Sequence, residues 1–72
     1  MTYLEMLQKN LADEVEATRS YGATLALAPP GDKAAILELF GDETDHIAIV
    51  AGLISQQTGE PVDYAAMIQG VE

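Results

Sequence analysis

The chain has 72 residues, 49% of them apolar, no cysteine and a formal net charge of −9. A chain this short makes one domain that buries little surface alone, and without cysteine neither a disulfide nor a thiolate site can staple it, which leaves a partner chain or a carboxylate/histidine metal site. Its only cations are Lys9, Arg19 and Lys33, which excludes a nucleic-acid surface and disfavours an anionic membrane as partner.

The N-terminal segment Met1 to Lys9 has neither the basic stretch nor the apolar run of a signal peptide, and no apolar run approaches the ~20 residues of a membrane span. The expectation is a soluble cytoplasmic protein, free or enclosed as cargo in a larger compartment. Thr2-x-x-Glu5 reads as a capping box that opens a helix. Leu4, Leu7, Leu11, Val15 and Leu25, with the small Thr18 and Gly22 between them, recur at helical spacing. This predicts a first helix over about residues 3–28, stopped by Pro29-Pro30-Gly31. Asp32 is a natural N-cap for a second helix over about residues 32–58, with Ile36, Leu39, Phe40, Ile47, Val50 and Ile54 on one stripe. Gly59 suits the C-terminal cap of that helix. Pro61 suits the first turn of a short third helix over about residues 62–69, ending near Gly70.

The predicted fold is therefore all-α: one domain over residues 1–72, an antiparallel helical hairpin with a short C-terminal helix. A hairpin with so broad an apolar face cannot bury it alone. Two copies can, as a four-helix bundle.

The carboxylates divide by direction. At roughly 100° per residue, the apolar stripe of the first helix lies within roughly 40° of Leu11, and Glu14 falls about 60° to one side of that direction. Asp13 and Glu16 point away. On the second helix Glu43 lies at the centre of the apolar stripe, with His46 about 60° to one side and one turn further on. Asp42 and Thr44 are at the flanks and Asp45 is opposite. The Pro-Pro-Gly turn puts Glu14 level with both Glu43 and His46. An unpaired carboxylate in a helical core costs several kcal/mol, on the order of the stability of the whole domain. No Lys or Arg falls on either stripe, so Glu43 needs a proton or a metal.

A Glu facing a Glu-x-x-His, doubled about a two-fold axis, supplies four carboxylates and two imidazoles, the donor set of a two-metal carboxylate centre. Hard carboxylate oxygens bridge divalent ions, and imidazole completes each ion while leaving positions open. The segment from Glu14 through Ala17 to Tyr21 resembles the E-x-x-A-x-x-x-Y of the first helix of rubrerythrin and other ferritin-like proteins. The segment Ile36 to Leu53, with Glu43-Thr-Asp-His46, resembles their second helix. Most family members carry both helix pairs in one chain, so this chain is similar to half-length, self-assembling versions such as encapsulated ferritins. The resemblance implies a di-iron centre, two ions per homodimer, with manganese as the other candidate ion. It implies Glu14, Glu43 and His46 as metal-binding and catalytic residues, and Tyr21 as a residue supporting those ligands. The activity implied is oxidation of ferrous iron, or reduction of dioxygen or peroxide. The rubredoxin-like cysteine module of rubrerythrins is absent, so an electron donor would be an external partner.

The plainer expectation for Asp13, Glu16, Glu38, Asp42 and Asp45 is a solvated face, and for Met6, Met67 and Tyr21 it is packing. The rival function is a non-catalytic, acidic helical homodimer that serves as an interaction module around a degenerate metal site.

Overall fold

The computed structural model describes residues 1–67. Helix α1 spans Tyr3–Leu27, a 3-10 turn covers Pro30–Asp32, helix α2 spans Lys33–Thr58, and a single turn, α3, spans Tyr64–Met67. The predicted hairpin is present, and among the described residues there is no strand.

The capping box forms as the sequence predicts. The Glu5 amide donates to the Thr2 hydroxyl at 3.1 Å, and the Thr2 amide donates to Oε1 of Glu5 at 3.0 Å. Helix α1 ends because Ala28, which precedes a proline, is extended (ψ 141°). Lys33 Nζ donates to the Leu25 carbonyl at 3.1 Å, placing a cation on the negative end of α1.

Two predicted boundaries are corrected. Asp32 does not cap α2 through its side chain; it closes the 3-10 turn, its amide donating to the Pro29 carbonyl at 2.9 Å, and α2 starts one residue later. Pro61 does not open the third helix. Residues 61–63 are irregular, and Asp63 provides the cap, its Oδ1 accepting from the Ala66 amide at 3.2 Å. The rest of the predicted third helix, including Gly70, lies outside the described residues. Gly59 caps α2 as expected, with φ +76° and its amide donating to the Ser55 carbonyl at 2.8 Å.

The core is the seam between the long helices. Leu7 and Leu11 of α1 meet Ile47 and Ile54 of α2, with Leu4, Val15, Val50, Leu53 and Val62 packed around them. Thr18 is fully buried on this seam, which its hydroxyl allows by donating to the Glu14 carbonyl of its own helix at 2.9 Å. The molecule measures 43 × 21 × 15 Å, and since a helix with its side chains is about 10–12 Å across, it is a slab one helix thick. Such a slab has two broad faces, and packing between α1 and α2 covers neither.

Among the described residues, no helix is long and apolar enough to cross a membrane. The carboxylates predicted to be solvated (Asp13, Glu16, Glu38, Asp42 and Asp45) are all exposed.

Candidate metal centre

The positions of three side chains follow from helical phase and from the turn. Glu14 projects from α1 beside the seam, because it lies one position before Val15 and one turn before Thr18. Glu43 and His46 project from α2 at a spacing that sets both on one side, one turn apart. The turn at Pro29–Asp32 then sets the register that brings the two helices' groups to one level. His46 Nδ1 lies 3.5 Å from Oε2 of Glu14 and 3.8 Å from Oε2 of Glu43. One donor atom from each of the three residues lies within 4.8 Å of both others.

Burial grades across the group. The Glu43 side chain is 19% exposed, Glu14 28% and His46 52%. Oε2 of Glu43 is fully shielded from solvent and has no hydrogen-bond partner. The imidazole at 3.8 Å is too far to serve as one. Glu14 and Glu43, both ionised, are acceptors only and cannot hydrogen-bond; with one proton between them they can. That shared hydrogen bond is the main reason the Glu43 carboxyl titrates above the ordinary carboxylate value. Burial and the Glu14 charge push the same way, with a further push from Asp42, while His46 opposes them.

The cations of the chain are engaged elsewhere. Lys9 pairs with Asp13 at 3.0 Å, Arg19 donates to the Met67 carbonyl at 3.1 Å, and Lys33 holds the end of α1. Thus two carboxylates and an imidazole face one another with no permanent positive charge among them. An unpartnered, shielded carboxylate oxygen stabilises nothing by itself and costs about 1–3 kcal/mol or more.

The donor set fits a divalent ion. Carboxylate oxygen and imidazole nitrogen bind such an ion at about 2.0–2.2 Å, so two donors on one ion stand about 3–4 Å apart. The distances of 3.5 and 3.8 Å fall in that range. All three donor atoms lie within 4.8 Å of one another. The fully shielded Oε2 of Glu43 is the atom such an ion would satisfy. Three donors leave further coordination positions open to other groups.

Tyr21 is half-buried on the same flank of α1 as Glu14. It stands two turns further on, about 10 Å along the helix axis. Among the described residues no hydrogen bond links its hydroxyl to the cluster. The residue sequence reasoning passed over is Arg19, which it treated only as one of three scattered charges. Its guanidinium ties the C-terminal segment to α1, a contact between positions 48 residues apart that no local pattern signals.

No protein-family model matches the chain, and neither a curated protein nor a solved structure matches it.

Proposed function

We propose that the chain is one half of a ferritin-like four-helix bundle, pairing with a second copy of itself to hold two iron ions between the hairpins. The observation that carries this reading is the shielded, unpartnered Oε2 of Glu43, facing Glu14 and His46 with no Lys or Arg among them. Helical phase adds support. If α1 and α2 are adjacent edges of a square bundle, Glu43 points at the bundle axis and so does Glu14, each turned about 50–60° from the direction of the neighbouring helix. A ligand set directed at the axis is half a set until a second hairpin faces it.

In this reading Glu14 and Glu43 would hold the ions, their two negative charges per hairpin offsetting one divalent ion. His46 binds through Nδ1, the ring nitrogen that already faces both glutamates. Two ferrous ions held there would give up one electron each and, with two protons taken from solvent, would reduce dioxygen to hydrogen peroxide, or peroxide to two water molecules. Glu43, which titrates above the ordinary carboxylate value, would have to be deprotonated to bind a metal, so acid competes with metal at this group. Manganese suits the same hard donors and is the alternative ion.

The test is an anaerobic ferrous titration followed by exposure to air. The expected result is saturation at about one iron per chain and an oxidation step on aeration, both lost in Glu43→Ala. Saturation far below that ratio, or binding unchanged in Glu43→Ala, removes the proposal. A protein that pairs and melts identically with metal or with chelator is the acidic interaction module instead.

A further inference from the structure

The two faces of the slab are not equivalent. On one face lie the Glu14, Glu43 and His46 cluster and apolar side chains left open to solvent: Leu39 is 42% and Tyr3 58% exposed. Helical phase places these on the flank of each helix that carries Glu14 or His46. The other face is covered by the chain itself over the part away from the turn, while nearer the turn Leu37 stays 53% exposed on it. After Gly59 reverses the backbone, Val62 packs against the core cluster of Leu7, Leu11, Ile47 and Ile54. The segment then runs along α1 to Met67, whose carbonyl accepts from Arg19 Nη2 at 3.1 Å. Between strap and helix remains an apolar groove of about 540 Å³, walled by Leu11, Val15, Ile54, Val62 and Met67.

The strap is fixed at each stage. The Ser55 and Thr58 hydroxyls both donate to the Glu60 carbonyl, at 2.8 and 3.4 Å, locking the turn out of α2. Asp63 caps α3, so the segment arrives at Arg19 as an ordered turn. A helix packing on this face would have to come within about 8–10 Å of α1, into space that Val62 to Met67 already fill.

We infer that residues 60–67 are a face-selecting strap: they close the back of the hairpin, so that a second copy of the chain can dock only on the face that bears Glu14, Glu43 and His46. This rests on the pairing proposed above and assigns the surface that makes it. Without the strap the slab would offer two apolar faces, and two faces per copy allow open-ended stacking instead of a closed pair. The strap makes the association self-limiting, and it directs it onto the half-built metal cluster.

The test compares full-length variants by mass in solution with manganese present, helix content being checked by circular dichroism. Wild type is expected to form a pair. Leu39→Asp, on the docking face, is expected to stay a single hairpin while remaining helical. Arg19→Ala with Val62→Asp releases the strap, verified by faster protease cleavage within residues 59–63, and is expected to form species larger than a pair. Leu39→Asp pairing as tightly as wild type overturns the assignment of the face. A released strap with the mass still that of a pair overturns the selecting role. If the double variant loses its helices, Val62→Ser alone, with the same cleavage check, decides the question in the same way. Failure of the metal reading is seen separately, as wild type that binds no manganese at all.

Discussion

Nδ1 of His46 on one helix stands 3.5 Å from Oε2 of Glu14 on the other, a polar contact across the seam of the hairpin. The two residues are 32 positions apart in sequence and meet because one proline-rich turn sets the register. Glu43, one turn before His46, completes the group with a shielded oxygen that has no hydrogen-bond partner while both carboxylates are ionised.

Metal is therefore expected to stabilise the fold. A ligand that binds only the folded state at about 100 times its dissociation constant adds about 2.7 kcal/mol. Thermal melts with manganese or anaerobic ferrous iron are expected to shift upward by several degrees, and Glu43→Ala or His46→Ala to abolish the shift. A melting curve unmoved by metal in the wild type would count against the centre.

Removing the shielded carboxylate should stabilise the metal-free protein even as it destroys the site. Glu43→Leu eliminates an unpartnered buried oxygen on an apolar stripe and is expected to gain about 1–3 kcal/mol in chelator. Urea unfolding with and without metal checks this. The wild type should be less stable than the variant in chelator, and the gap should narrow or reverse with metal. A variant destabilised in chelator would show that Glu43 already has a partner.

The pH dependence of the metal-free protein has a definite sign. Glu43 titrates higher in the folded chain than the ordinary carboxylate value of 4.5, chiefly through the hydrogen bond it shares with Glu14. The folded state then holds the proton more tightly, so this contribution is fully present below pH ~4.5 and lost as pH rises through the folded value. Glu5 behaves oppositely: its bonds to Thr2 lower its value, so its contribution is present above pH ~4.5 and lost as pH falls. Stability-against-pH curves of wild type and Glu43→Gln in chelator should converge at acid pH and separate toward neutrality, with the variant higher. Parallel curves would refute the assignment.

The seam and the caps give the scale against which the site is judged. Ile47 is fully buried at the seam, and Ile47→Ala is expected to cost about 2–5 kcal/mol, measured by urea unfolding. Gly59 takes φ +76°, and Gly59→Ala should cost about 1–2 kcal/mol through the left-handed backbone alone, since nothing lies within 4 Å of an added Cβ. Thr2→Ala should cost about 1 kcal/mol through the lost cap. An Ile47→Ala cost below that of Thr2→Ala would mean that the seam is not the core.

Much of this was legible in sequence because it is local. The Thr2–Glu5 box, the stop before Pro29, the cap at Gly59 and the inward phase of Glu43 each depend on residues within one or two turns, and helix geometry fixes their directions. The turn is short enough that even the level of Glu14 against Glu43 and His46 could be counted along the chain. What sequence misjudged is also local but finely balanced. At Asp32 a 3-10 turn competes with a helix cap and wins, because the turn satisfies the backbone without the side chain. At Pro61 the chain turns onto α1 before it can resume a helix.

Only the tertiary structure decided the rest. That Oε2 of Glu43 is shielded and unpartnered depends on the packing of α1 against α2, not on either helix alone. That the C-terminal segment lies on one face depends on Val62 finding the core cluster and on Arg19 holding the Met67 carbonyl. Neither contact leaves a periodicity in the sequence. Helical phase tells which way a side chain points; only the packed chain tells what it meets.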